Sequence, residues 1–513
     1  MKTLALLFLF LTSFFVRSLR WLAFSQQKEY RIDRLLLFLK SSEGKKELFR
    51  IFPRMQDFSK TGLKRPKITA RILITGLLFA VILFITSWIS VVNFFDATHL
   101  ISILYLFLIF LLLLTLIPFF TLISILPTVI ISNLRIYIEL LKAQNKVNRK
   151  NPIIVGITGS YGKTSTKLLL AHVLEKKYSV FKTPKSFNTR FSVAKSINDN
   201  FSDQELMVLE YGAYKKGEIK ILSSWFKPTL AVITGLTKQH LGLFGNLQSI
   251  IEAKSELVKS LLPNSIVVCN GLDKGAIKIC EVGINDNKDG RNLKVFETNN
   301  TEADTSILKS HLNKFGKLIF VYGGQQVSTK LMGNHYLEII RMVILTAKKL
   351  GVSDDDIVDS ISSFVPNDKF IFSYQTKRGN FLIDDGGTSN PKGFEAAIDL
   401  CKEIESDKVN GEAREGALGH NKILITSGIV DLGSETNEIH MLLAQKSREV
   451  FNTVIHVGNS GSEAFSNIFK IDFLDSETYD DQKKIKSFLS NLDKHEMILV
   501  EGKMPGWIKE YLK

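Results

Sequence analysis

A chain of 513 residues has room for several domains, and its three cysteines, Cys269, Cys280 and Cys401, form no Cys-x-x-Cys pair and no disulfide framework. The net charge of +15 would suit a nucleic-acid binder if it ran along the whole chain. Residues 1–150, however, hold 21 Lys and Arg against 7 Asp and Glu, and the other 363 residues are almost balanced at 45 against 44. The basic charge therefore belongs beside apolar segments, where anionic lipid head groups, not nucleic acid, are the fitting partner.

The first apolar run, Thr3 to Val16, is uncharged over 14 residues. As a helix it covers roughly 21 Å, short of a hydrocarbon core of about 30 Å. Arg17 and Arg20 follow where a signal peptidase would need small residues, so the run reads as a short anchor or interfacial helix (3–16). Residues 17–71 carry 15 Lys and Arg against 5 Asp and Glu, with Ile32, Leu35, Leu36, Leu37 and Leu39 spaced for an amphipathic surface helix. Ile72 to Phe95 has no charge over 24 residues and predicts a transmembrane helix. Leu100 to Leu134 is uncharged over 35 residues with Pro118 and Pro127 inside it, which predicts one kinked or tilted helix spanning at about 100–125. The link between them has Asp96 and His99 but no Lys or Arg, and the basic residues return at Arg135. The positive-inside rule then places 17–71 and everything after 135 in the cytoplasm, as a multi-pass protein of the cell membrane.

From residue 151 the pattern alternates between strands and helices. Pro152-Ile153-Ile154-Val155 reads as a buried parallel strand, and Leu168 to Leu174 as a helix. Between them stands Gly159-Ser160-Tyr161-Gly162-Lys163-Thr164-Ser165. A glycine-rich turn between strand and helix offers backbone N–H groups and a helix N-terminus to a phosphate chain. Lys163 would reach the terminal phosphates, and the Thr164 hydroxyl would take Mg²⁺. The spacing is Gly-x-x-Gly-Lys-Thr, since Ile157 stands where the longer nucleotide loop has its first glycine. Further apolar runs at 206–209 and 230–234 end near Glu210 and His240, at the strand ends that carry chemistry in parallel sheets. A helix over about 247–262 carries Ala253-Lys254-Ser255-Glu256.

These motifs, in this order, resemble the central domain of the Mur ligases, the ATP-dependent amide ligases of cell-wall peptide synthesis, and most of all the branch that adds D-alanyl-D-alanine. Downstream, Gly333-Asn334-His335, Asp384-Asp385 with Asn390-Pro391, and Gly428 to Gly433 with Glu438 and His440 are similar to later family segments. The implied architecture is α/β: a transmembrane helical region (1–150), a P-loop central domain (151–365) and a Rossmann-like C-terminal domain (366–513). Strands at 380–384, 422–427, 453–457 and 496–501 suit the last of these.

The resemblance implies ATP bound by Gly159 to Ser165, with His335, Lys369 and Asp385 near the base, phosphates and ribose. It implies two Mg²⁺, one on Thr164 and Glu210, the other on His240 and on Lys254 after carbamylation with CO₂. Lys163, His240 and Lys254 are the implied catalytic residues. The implied reaction activates a carboxylate as an acyl phosphate, which an amine then attacks. The implied substrates are a muropeptide or lipid-linked peptide and an amino acid or dipeptide. The chain departs from the family at Tyr336 and Ile339, where asparagines are expected, at Asp368-Lys369 for Gly-Arg, at Gly387-Thr388 for Tyr-Asn, and at Gly235 and Thr237. The family's uridine-nucleotide-binding N-terminal domain is replaced by the apolar region. A folate- or polyglutamate-type ligase, a nucleotide-binding regulator that has lost ligation, and a transporter-coupled P-loop ATPase are the competing readings.

Overall fold

The structure is a computed structural model, and it describes every residue except 1, 41, 55–56, 58–65, 93–98, 239–240, 287–291, 299–306, 308, 388–389, 405–420, 459, 477–478, 494–495 and 513. The chain divides into two units, Met1–Ile138 and Glu139–Lys513.

The first unit is helical: α1 (Lys2–Gln27), α2 (Ile32–Lys40), α3 (Ser42–Phe49), α4 (Ala70–Val92) and the first part of α5 (His99–Lys150). Helix α1 continues well past the anchor expected at 3–16, because Trp21, Leu22 and Phe24 extend its apolar face into a core with Leu35, Phe38, Phe79, Leu114 and Ile117. Residues 17–71 are therefore not wholly a solvated basic segment. Arg17 is buried and donates to the carbonyls of Leu114 at 2.9 Å and Leu48 at 2.8 Å. Arg20 is buried between Glu47 and Asp57. Each buried guanidinium is thus paired, as burial requires. Helix α2 is two-sided as expected, but Leu35 faces this core while Leu36 is exposed.

Pro118 and Pro127 lie inside α5 without ending it, as expected for one long helix. Among the described residues one helix, Phe107–Lys150, is long and apolar enough to cross a membrane, with a mean hydropathy of 2.7 in its most apolar window; the apolar helix Ala70–Ile85 is shorter.

The second unit begins β1 (Ile153–Thr158), α6 (Lys163–Leu174), β2 (Val180–Lys182), α7 (Arg190–Asn200), β3 (Leu206–Glu210), α8 (Glu218–Trp225) and β4 (Leu230–Ile233). It continues α9 (Leu241–Phe244), α10 (Leu247–Lys259), β5 (Ile266–Cys269), α11 (Lys274–Asn285) and β6 (Lys294–Glu297). These six strands form one parallel sheet in the order β2-β3-β1-β4-β5-β6. Their near-continuous Val, Ile and Leu content fits strands covered on both faces. Val155 and Ile157 face Leu169, Leu170 and Val343 in one core, while Gly156 lies against Leu257 on the other side. The order reverses beside β1, so the loop after β1 opens at a topological switch point.

A three-stranded antiparallel sheet follows, β7 (Ser310–Leu312), β8 (Lys317–Tyr322) and β9 (Gln325–Met332), then α12 (Tyr336–Lys349) and α13 (Asp354–Ser363). Leu318, Phe320 and Tyr322 alternate inward from β8 onto the core of the first sheet. The remaining strands are β10 (Phe372–Gln375), β11 (Phe381–Asp385), β12 (Lys422–Thr426), β13 (Thr453–His456), β14 (Phe473–Asp475) and β15 (Met497–Glu501), with α14 (Pro391–Glu403) after β11 and α15 (Thr436–Arg448) after β12. They form a second sheet in the order β10-β11-β15-β12-β13-β14, parallel except for β10. Ile383, Leu424 and Leu499 pack on Phe394 and Leu443 on one face; Leu382, Ile425 and Ile498 pack on Ile485, Leu489 and Ile508 on the other.

Candidate active site

The loop between β1 and α6 is shaped by two glycines. Gly159 has φ 156°, and a Cβ there would stand 1.9 Å from Thr234 Oγ1 on the neighbouring strand end. Gly162 caps α6 in the left-handed region with no side-chain cap, which leaves the first N–H groups of the helix for an anion. The loop is pinned to the end of β4: Ser160 N–H donates to Gly235 O at 2.7 Å, and the Thr234 hydroxyl donates to Tyr161 O.

Two lysines meet at this loop. Lys163 Nζ donates to Gly159 O at 2.8 Å, and Lys254 Nζ, arriving from α10, donates to the same oxygen at 2.9 Å. Burial holds the Lys163 ammonium below its ordinary pKa, partly offset by Glu210. Lys254 is driven well below its ordinary value by burial and then by the charge of Lys163. A buried lysine of this kind reaches the neutral amine readily.

Glu210 ends β3 with no exposed surface. Its Oε2 accepts from the Thr164 hydroxyl at 3.2 Å, and Thr164 Oγ1 also lies 3.2 Å from Ser186 Oγ. Lys167, one turn beyond Lys163 on α6, stands 2.7 Å from Glu210 Oε1. Oε1 thus faces the Lys167 ammonium, while Oε2 is the oxygen turned to Thr164. Thr164 and Glu210 thus offer hard oxygen ligands of the type Mg²⁺ takes, in a number it completes with phosphates and water. No cluster of three His, Cys, Asp or Glu side chains is placed to hold a metal among the described residues. His240 lies outside those residues.

A cleft of about 290 Å³ opens from the loop towards the second sheet, lined by Tyr161, Gly162, Ser165, His335, Lys369 and Asp385 among others. His335 is pulled down to about 4 by burial, so its imidazole is neutral, and its Nδ1 has no hydrogen-bond partner among the described residues. Asp385 is raised to about 7, chiefly by burial, with a hydrogen bond to Glu501 opposing and Asp384 adding to the rise. Lys369 stands in the cleft wall 3.9 Å from Asp368. Tyr336 and Ile339, which replace the expected asparagines, are buried in the cleft wall. The Tyr336 hydroxyl accepts from Ile371 N–H at 3.1 Å, so it ties α12 to the segment entering the second sheet.

Several residues here were not singled out from sequence. Lys167 and Ser186 surround the Thr164–Glu210 pair. Asp273 and Glu338 flank the loop's Tyr161, whose hydroxyl donates to Asp273 at 2.7 Å and lies 3.3 Å from Glu338. Lys392, at the start of α14, reaches both carboxylates, 3.7 Å from Asp273 and 3.9 Å from Glu338. The one signal available was Lys167 itself: a lysine four residues after Lys163, leading into the apolar Leu168-Leu169-Leu170, needs a buried partner.

Comparison with known proteins agrees with this geometry. The Mur ligase middle domain model matches residues 157–347. In sequence the chain is 24% identical over 365 residues to the UDP-N-acetylmuramoyl-tripeptide–D-alanyl-D-alanine ligase of Bacillus subtilis, covering 70% of this chain and 75% of that protein. It is 26% identical to the corresponding ligase of Buchnera aphidicola, covering 70% and 76%. In fold it is similar to MurF from Acinetobacter baumannii, with a TM-score of 0.60, 21% identity and coverage of 73% and 78%. MurF from Thermotoga maritima, solved in complex with ADP, gives a TM-score of 0.58 at 23% identity, covering 74% and 82%. The strand-anchored glycine-rich loop, the acid at the end of β3 and the lysine from α10 all lie within residues 157–347, the part of the chain that is similar to the Mur ligase middle domain.

Proposed function

We propose that the chain is an ATP-dependent amide ligase that joins a peptide carboxylate to the amine of an amino acid or dipeptide. The observation that carries this reading is the convergence of Lys163, Thr164, Glu210 and Lys254 on one phosphate-binding loop. An amide does not form from a free carboxylate without activation. Here a carboxylate oxygen attacks the γ-phosphorus of ATP, the bond to the β-phosphate oxygen breaks, and ADP leaves. The amine nitrogen then attacks the acyl carbon of the acyl phosphate, phosphate departs with the former carboxylate oxygen, and the amine releases a proton.

Lys163 and the loop N–H groups stabilise charge on the transferring phosphoryl oxygens. Thr164 and Glu210 would hold one Mg²⁺, whose role is to neutralise phosphate charge. The neutral Lys254 amine can add to CO₂ with loss of a proton, and the resulting carbamate offers oxygen ligands for a second Mg²⁺ together with His240. His335, Lys369 and Asp385 line the cleft that would take the rest of the nucleotide.

The helices of the first unit fit a membrane anchor. Leu73, Leu77 and Phe84 on α4, and Ile130, Ile131 and Leu134 on α5, are all exposed. Apolar surface of this extent belongs in lipid or against a partner. With the basic residues at 17–71 and after 134, the ligase part faces the cytoplasm. An anchored ligase gains most from a substrate held at the same membrane, so a lipid-linked muropeptide is the preferred carboxylate.

The test is the purified full chain in detergent with ATP, Mg²⁺, a muropeptide and D-alanyl-D-alanine. ADP, phosphate and amide should appear in equal amounts, and only with both substrates present. ATP turnover indifferent to both would defeat the reading.

A further inference from the structure

Lys167 has no role in the chemistry above, yet it is among the largest fully buried side chains of the protein. Its Nζ stands 2.7 Å from Glu210 Oε1, and both side chains have no exposed surface. The same ammonium donates to Lys185 O and lies 3.4 Å from Thr183 Oγ1. The lysine is therefore moored to the segment after β2 independently of Glu210. An unpaired carboxylate buried this deeply would be strongly destabilising. Removing its charge partner would leave a site that attracts any available cation.

We propose that Lys167 is a positioning residue which neutralises Glu210 in the nucleotide-free protein, so that the first divalent cation binds only together with the nucleotide. The pair has no net charge, and the protein ligands present among the described residues are the Thr164 hydroxyl and one carboxylate. Two such oxygens beside a fixed ammonium hold a hydrated dication poorly. Phosphate oxygens arriving at the helix N-terminus add negative charge on the open side, and Glu210 Oε2 with the Thr164 hydroxyl would then complete the set. Lys167 thus suppresses metal binding without substrate and orients the carboxylate for metal binding with it. This rests on the ligase reading of the site.

The probe is Mn²⁺, followed by the loss of its free-ion electron paramagnetic resonance signal on the full-length chain in detergent. Without nucleotide, the wild type should bind no Mn²⁺ at this site at concentrations where a non-hydrolysable ATP analogue brings one in. Lys167→Met should bind one Mn²⁺ without nucleotide, at least tenfold tighter than wild type, and adding Glu210→Gln should abolish that site. Lys167→Arg, which keeps the charge, should behave as wild type. Nucleotide-free Mn²⁺ binding by the wild type as tight as with the analogue overturns the proposal, and this reading does not require Lys167→Met to fold. A folded Lys167→Met that gains no affinity overturns it too, leaving Lys167 a structural residue. The arm with the analogue reports separately on the ligase reading, which fails if no metal enters there.

Discussion

Lys163 and Lys254 donate to one acceptor, the carbonyl oxygen of Gly159, at 2.8 and 2.9 Å. Two ammonium groups on one oxygen would repel each other, and burial together with the charge of Lys163 drives Lys254 well below its ordinary pKa. Conversion of Lys254 to a carbamate would exchange that repulsion for an attraction. Lys254→Ala should therefore lower ligase turnover roughly 10²-fold or more, the scale for losing one preorganised electrostatic group. Short carboxylic acids should restore part of it by supplying the missing oxygens. A fully active Lys254→Ala enzyme would rule the carbamate out.

The loop that carries this shared acceptor tolerates no side chain at its first glycine. A Cβ on residue 159 would overlap Thr234 Oγ1, whose hydroxyl is committed to the Tyr161 carbonyl. Gly159→Ala should abolish nucleotide binding in a titration with a fluorescent ATP analogue, with the secondary structure intact by circular dichroism. Wild-type affinity in this variant would show that the loop rearranges before binding.

Asp385 sets a pH dependence of stability. Its carboxyl is raised from 3.8 to about 7 in the folded protein. The native state therefore binds a proton that the unfolded chain has already released at intermediate pH. That contribution stabilises the fold in weak acid and falls away as pH rises towards and through 7. The Tm of the wild type should decline between pH 5 and 8 by more than that of Asp385→Asn. Parallel pH profiles for the two proteins would contradict the assignment.

Much of this was legible because parallel strands have a strong signature. The runs at 206–209, 230–234 and 422–427 emerge as β3, β4 and β12 within a residue of their expected ends, since each is built on three or four consecutive apolar residues buried on both faces. Lys163, Thr164 and Glu210 could be placed from β1 and β3 because the loop and the strand end fix them locally. Lys167 and Lys392 could not. Their partners, Glu210, Asp273 and Glu338, come from elements far away in sequence, and a lysine on a helix is ordinarily solvated. Arg17 and Arg20 misled for the same reason: they read as a basic surface but are buried against Asp57, Glu47 and main-chain carbonyls. The sheet β7–β9 escaped notice because its alternating pattern marks only one buried face.

The charge asymmetry of the N-terminal region makes a topological prediction. Protease added outside intact cells should leave residues 151–513 uncut, whereas lysis should expose them. Digestion of this part in intact cells would refute the cytoplasmic placement.

The central claim, activation of a carboxylate by phosphoryl transfer at the Gly159–Thr164 loop, is tested most directly by an isotope label. The muropeptide is supplied with ¹⁸O in its reacting carboxylate, together with ATP, Mg²⁺ and the amine. An acyl phosphate requires one labelled oxygen to appear in the released phosphate for every amide formed, and requires Lys163→Ala to release none. Amide formation with unlabelled phosphate, or with the label in AMP, would contradict the account.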